Sequence, residues 1–399
     1  MARILVYSHD TFGLGNIRRM LRISEALVAH DPASSVLLVT GSPMLHAFRL
    51  AERIDYVKLP CLARDTKGEY GVKHLDMDFG DAVRMRASVI MAAASEFNPD
   101  IVLVDKKPLG VAGELAPMLE LMTRRADRPR MHLLLRDILD TPQATRSVWE
   151  ANDYHGVIDR CYDSILVVGE PQIFDLAEAY RFPDSTRCKL HYCGYINRAE
   201  AGHTKRPANV DGKMRVLVHA GGGQDGVALI EAALGALVQA GAERDYECRV
   251  IGGPEMAEVE RRRLSVAAAQ IADTEWLDFS DNMGAELTAA DVVVSMGGYN
   301  TVCEILSYRK RAIVVPRSEP VREQRIRAEG MSRLGLLSMI PMEDLSPAVL
   351  RQSIQIELDR SNIHSSHAAR LKFNGLERIC ELALGKRAQE VAQRLEQVL

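Results

Sequence analysis

Val292-Val293-Val294-Ser295-Met296-Gly297-Gly298-Tyr299-Asn300-Thr301-Val302-Cys303-Glu304 is the stretch on which the reading of this chain turns. The valine run is short, β-branched and apolar, the pattern of a buried strand, and the residues after the glycine pair take up a helical period. A strand passing through a glycine turn into a helix presents unpaired N–H groups and the positive end of the helix dipole, which favour an anion such as phosphate. Gly297 and Gly298 are expected to let the backbone turn tightly and approach a ligand. Asn300 or Thr301 should begin the helix, and Glu304, one turn deeper, can accept hydrogen bonds from a ribose diol. The plain alternative is an ordinary turn with Asn300 or Thr301 as N-cap and Glu304 as its capping partner.

A second turn of the same kind, His219-Ala220-Gly221-Gly222-Gly223-Gln224-Asp225-Gly226, precedes the helical run from Val227 to Val238. Its glycines can expose several N–H groups to a pyrophosphate. A third strand-loop-helix junction, Ser8-His9-Asp10-Thr11-Phe12-Gly13-Leu14-Gly15-Asn16, leads into Arg18 and Arg19 near the N-terminus.

Working outward, apolar β-branched runs alternate with helical segments, as in βαβ units with a mainly parallel sheet. Strands are expected at Arg3 to Tyr7, Ser35 to Thr40, Ile101 to Asp105, His132 to Arg136 and Ser164 to Val168. A second set is expected at Met214 to Ala220, Glu247 to Ile251, Thr274 to Asp278, Val292 to Ser295 and Ala312 to Val315. The pattern predicts two Rossmann-like α/β domains facing each other across a cleft, 1–195 and 213–380, joined by a polar linker at 196–212. Only helical patterns follow Ser346, and the last, 381–399, has an apolar face expected to pack back on the N-terminal domain.

At 399 residues with 47% hydrophobic and 26% charged residues, the chain is an ordinary globular protein of more than one core. A net charge of −4 argues against a nucleic-acid binder. Seven scattered cysteines, with no Cys-x-x-Cys pair, suggest neither a disulfide framework nor a zinc site. With no signal-like N-terminus and no membrane-length apolar run, a cytoplasmic protein is expected, compatible with peripheral membrane contact.

The order of elements from Asp278 through Gln324 resembles the donor-binding half of GT-B glycosyltransferases of the MurG type. These elements are the acidic segment Asp278 to Met283, Ala290 to Val294, the Gly-Gly-x-Asn-Thr-x-x-Glu string, Val315-Pro316 and Glu323-Gln324. The resemblance implies that Gly222, Gly223, Gln224 and Asp225 touch the diphosphate, backbone near Phe279 and Met283 edges the base, and Glu304 holds the ribose. It also implies that Glu323 and Gln324 meet the sugar hydroxyls. The N-terminal loop with Gly13, Gly15, Asn16 and Arg18 is similar to that of predicted bacterial glycosyltransferases, on the acceptor side. Relatives commonly carry His where this chain has Asn16, and an amide cannot act as a base. His9 and Asp10, at the mouth of the first strand, are the nearest candidates for the base, the plain alternative for His9 being a loop histidine bonded to backbone.

The expected reaction is transfer of a sugar from a nucleotide diphosphate donor, a uridine nucleotide by resemblance, to a small-molecule, lipid-linked or saccharide acceptor. Inversion at the anomeric carbon is what the resemblance implies, and no metal or other cofactor is expected, helix N-termini stabilising the departing diphosphate. A sugar-nucleotide epimerase and a non-catalytic donor-binding subunit are the alternatives. A nicotinamide oxidoreductase is disfavoured, because Gly13-x-Gly15 lacks the third glycine at the proper offset.

Overall fold

The computed structural model describes residues 2–9, 15–64, 70–199, 212–242, 244–317, 319, 321–360 and 371–385. The chain divides into two compact units, one of Met1–Pro171, Asp175–Gly194 and Asn374–Leu399, the other of Gln172–Phe174 and Tyr195–Phe373.

The first unit is built on β1 (Arg3–Ser8), β2 (Ser35–Thr40), β3 (Ile54–Lys58), β6 (Ile101–Asp105), β7 (Arg130–Arg136), β8 (Ser164–Val168) and β9 (Leu190–Tyr192). They form one parallel sheet in the order β3-β2-β1-β6-β7-β8-β9. A small antiparallel pair, β4 (Leu62–Arg64) and β5 (Tyr70–Val72), stands apart. β6 and β8 are buried along their whole length, as expected for central strands covered by helices on both faces. The first unit also holds a buried polar knot: Arg86 donates to both oxygens of Glu114 at 2.5 and 2.7 Å, and the Tyr7 hydroxyl donates to Glu114 Oε1 at 2.5 Å.

The second unit holds β10 (Met214–His219), β11 (Tyr246–Ile251), β12 (Thr274–Leu277), β13 (Val292–Ser295), β14 (Arg311–Val314) and β15 (Ser338–Met339). These pair in parallel in the order β12-β11-β10-β13-β14-β15. The helix Val227–Ala240, apolar on nearly every side, packs on this sheet beside the helix Pro347–Asp359, and its Leu229, Ile230 and Leu237 join the main core. In each sheet the winding direction reverses beside its first strand, between β1 and β6 and between β10 and β13. Ligands bind doubly wound sheets at the C-terminal ends of strands at such a reversal.

All ten expected strands are present, with ends shifted by two residues at most. The others escaped for identifiable reasons. Ile54–Lys58 is an outer strand in which only Ile54 is buried, so no apolar run marks it, and Ser338–Met339 is too short to show a period. The expected domain boundary at 380 falls inside the helix Gly375–Leu384, which belongs to the first unit and packs against the helix Gly15–His30. Ile379, Cys380 and Ala383 are its buried stripe. Most of the expected linker (200–211) and nearly all of the expected last helix (386–399) lie outside the described residues. Among the described residues no helix is long and apolar enough to cross a membrane.

Candidate functional site

In the second unit, His219 ends β10 and Ser295 ends β13, and the two are register partners. Both glycine turns therefore leave the sheet side by side at its reversal point. They touch: a β-carbon on Gly221 would stand 3.7 Å from Thr301 Oγ1. A third glycine turn, Gly252-Gly253 after β11, is interleaved with the first, and sequence reasoning passed it over although Gly-Gly-Pro after a strand is a turn signal. Gly223 and Gly253 have φ of +94° and +101°, the left-handed region that only glycine enters without strain. Gly253 N–H donates to the Asp278 carbonyl at 3.0 Å, tying the segment that carries Phe279 to the phosphate-loop candidate.

Gly297 and Gly298 serve differently from the expectation, since neither takes a positive φ. Gly297 is buried, and a β-carbon there would lie 3.2 Å from the Gln324 carbonyl oxygen and from Val314 Cγ1, a tight fit that favours glycine. At Gly298 a β-carbon would meet only Thr301 Oγ1, at 3.8 Å. The helix is Tyr299–Ser307 and its N-cap is Gly298, with no side-chain capping bond. The capping pair of Asn300 or Thr301 with Glu304 is thus absent. Among the described residues nothing accepts a hydrogen bond from the Gly298 N–H. Tyr299, Val302, Cys303, Ile305 and Leu306 are buried, whereas Asn300, Thr301 and Glu304 are half-exposed and share one face at i, i+3 and i+4 spacing.

Gly222, Gln224 and Asp225 are exposed, and Asp225 is ion-paired to Arg317 at 2.5 Å. The Arg317 N–H lies 3.4 Å from Gln324 Oε1, which brings the turn after β14 to the same corner. Glu323 and Gln324 open the helix Glu323–Arg333 and are buried, and one Glu323 oxygen accepts from Arg327 at 2.6 Å. Arg327 also donates to the Gly297 carbonyl at 2.8 Å. Arg198 donates to Asn300 Oδ1 at 2.7 Å. Neither arginine could be placed from sequence, because each acts across a long separation. Phe279 is exposed and Met283 half-exposed at the start of the helix Met283–Ala289. That helix adjoins Tyr299–Ser307, Gly284 lying against the Tyr308 hydroxyl. The donor-side residues read from sequence therefore belong to adjoining turns at the C-terminal ends of the strands of one sheet. His219 sits beneath them, its Nε2 without a hydrogen-bond partner among the described residues, and burial pushes its imidazole down to about 4.

In the first unit, His9 follows β1 and is fully buried. Its N–H lies 3.4 Å from Asp105 Oδ2, and its carbonyl accepts from Asn16 Nδ2 at 2.5 Å. Arg19, equally buried, donates to Asp105 Oδ1 at 2.6 Å and to Asn16 Oδ1 at 3.2 Å. Asn16 is thus a tie between the helix Gly15–His30 and the end of the sheet. Arg18 and Gly15 are exposed, and Asp10 and Gly13 lie outside the described residues.

Residues 216–381 match the model of the glycosyltransferase family 28 C-terminal domain. The family 28 match includes the β10, β11 and β13 turns together with Arg317, Glu323 and Arg327. Over 143 residues the chain is 34% identical to the UDP-N-acetylglucosamine–N-acetylmuramyl-(pentapeptide) pyrophosphoryl-undecaprenol N-acetylglucosamine transferase of Haemophilus influenzae (strain PittEE), 36% of this chain and 39% of that protein. The Vibrio parahaemolyticus enzyme of the same name is 30% identical over 155 residues, 39% of this chain and 42% of that one. The chain thus matches about two fifths of the length of these curated relatives.

In three dimensions the likeness is longer: Acinetobacter baumannii MurG superposes with a TM-score of 0.64 at 14% identity, covering 96% of this chain and 99% of that one. The glycosyltransferase VinC, solved in complex with dTDP, gives 0.61 at 14% identity over 98% and 100% of the two chains. The fold is that of the GT-B glycosyltransferases, and the resemblance to the MurG type read from Asp278 to Gln324 holds.

Proposed function

We propose that this protein is a glycosyltransferase that takes a sugar from a nucleotide diphosphate donor, a UDP-sugar, and passes it to a saccharide, lipid-linked or small-molecule acceptor. The single observation that carries the reading is the pair of glycine turns at the β10–β13 reversal. One opens a helix that no side chain caps, with the Gly298 N–H bound by no described residue. Such a corner suits a diphosphate, whose charge grows as the sugar leaves. Asn300, Thr301 and Glu304 on the half-exposed face of that helix suit a ribose, and Gln324 beside Gly297 suits the sugar. The names of the sequence relatives, which specify UDP-N-acetylglucosamine and a pyrophosphoryl-undecaprenol acceptor, support the uridine donor and an acceptor on a lipid carrier.

In this mechanism the departing diphosphate is stabilised by loop N–H groups and the helix dipole, and inversion follows from direct attack by the acceptor. For the base, His9 keeps its place at the strand-order reversal of the first sheet. The C-terminal end of β1 favours it, and its complete burial weighs against it. Peripheral contact with a membrane surface accords with a lipid-linked acceptor.

The reaction is tested by following UDP release from UDP-N-acetylglucosamine and other UDP-sugars against a panel of saccharide and lipid-linked acceptors. Acceptor-dependent release supports transfer. An isomerised sugar from donor alone would establish the epimerase, and tight donor binding without turnover on any acceptor would establish the non-catalytic subunit.

A further inference from the structure

Arg327 is among the largest fully buried side chains in the protein, with no solvent exposure. A buried guanidinium is expensive unless its charge and donors are met, and an apolar side chain of similar volume commonly serves packing as well or better. Packing alone therefore does not account for arginine at this position. Its fork is divided: one nitrogen donates to Glu323 Oε2 at 2.6 Å, one turn earlier on the same helix, and another donates to the Gly297 carbonyl at 2.8 Å. The guanidinium carbon also lies 5.6 Å from the centre of the Tyr299 ring, which favours the cation. Among these contacts, Glu323 and Tyr299 steady the guanidinium, and the Gly297 carbonyl is a backbone group it binds.

The C=O and N–H of a trans peptide point to opposite sides. With the Gly297 carbonyl drawn to buried Arg327, the Gly298 N–H of the same peptide is turned the other way. This is the N–H that no described residue accepts, at a half-buried glycine where a β-carbon would meet only Thr301 Oγ1 at 3.8 Å. Gly297 is itself buried against Val314 and Gln324, so its carbonyl has buried Arg327 as a partner where water is excluded.

We infer that Arg327 is a positioning residue that fixes the Gly297–Gly298 peptide so that the Gly298 N–H is aimed at the diphosphate of the donor. The inference rests on the donor-site reading above. Arg327 touches no donor atom. It acts through the peptide, preorganising a hydrogen bond that would otherwise cost a peptide rotation on binding.

The test is the affinity for UDP and for uridine, measured by NMR titration on wild type, Arg327→Lys and Arg327→Met. Lysine keeps a cation for Glu323 but, as a point charge, cannot reproduce the two-way fork. Arg327→Lys and Arg327→Met should each weaken UDP binding about tenfold or more while leaving uridine binding unchanged, since only the diphosphate uses the peptide. If Arg327→Met fails to fold, Arg327→Lys alone decides. Equal UDP affinity in wild type and variants overturns this inference and spares the donor reading. A parallel loss for UDP and uridine makes Arg327 a structural residue and overturns it as well. Wild type that binds no UDP overturns the donor reading and this inference with it.

Discussion

Gly223 and Gly253 hold two turns of the second unit in each other's backbone: a β-carbon on Gly253 would lie 2.7 Å from the Gly223 nitrogen, and one on Gly223 would lie 3.0 Å from the Gly253 carbonyl oxygen. Both residues also sit at positive φ. Gly253→Ala should therefore displace the Gly221–Gly223 turn and destabilise the protein by about 1–3 kcal/mol. It should also weaken UDP binding, although residue 253 was not among the donor residues expected from sequence. Unchanged melting temperature and UDP affinity would show that the interleaving has no consequence.

Gly298 offers the opposite case, because its φ is −60° and a β-carbon there has room. Gly298→Ala should fold with wild-type stability yet lose UDP affinity, the methyl group standing where the backbone approaches the ligand. Calorimetric titration beside thermal denaturation checks both halves. A stable variant with full affinity would place the diphosphate elsewhere.

Two buried histidines make stability depend on pH. His219 is pushed down to about 4 by burial, and so is His132, by burial first and then by the nearby Arg130 charge. The unfolded chain takes up these protons near pH 6.5, whereas the folded chain resists them until about 4. The stability that the neutral rings contribute is whole above 6.5 and is lost as pH falls toward 4, at most about 3 kcal/mol for each. His219→Leu should flatten the fall of melting temperature between those two pH values, and an unaltered slope would contradict the burial argument.

Glu114 and Arg86 form a pair with no exposed side-chain surface. Glu114→Ala leaves a buried guanidinium without its counter-charge and the Tyr7 hydroxyl without its acceptor, and should cost about 3–5 kcal/mol in chemical denaturation. Replacing both partners, as in Arg86→Met with Glu114→Leu, should recover much of that loss. A double variant no better than the single one would mean that the pair is needed for more than mutual neutrality.

The fold was legible because its central strands are buried on both faces and so appear as uninterrupted apolar runs, Ile101 to Asp105 and Val292 to Ser295 among them. Strands with one buried residue, such as Ile54–Lys58, leave no such mark. On the donor side, glycines at strand ends announced the turns, but their reasons differ from residue to residue, Gly223 by φ and Gly297 by space. Arg327 and Arg198 were illegible because their partners, Gly297 and Asn300, lie 30 and 102 residues away. Asn16 looked like a lost base in the sequence. In three dimensions it is a link between His9 and Arg19, a role that hydrogen bonds and not titration define.

Thermal-shift measurement of wild type and Glu304→Ala against UDP, with NAD as control, tests the donor site most directly. UDP should raise the melting temperature of wild type, scarcely move that of Glu304→Ala, and NAD should stabilise neither. Stabilisation by NAD in place of UDP, or an equal UDP shift in both proteins, would contradict the assignment of the β10–β13 corner to a nucleotide diphosphate donor.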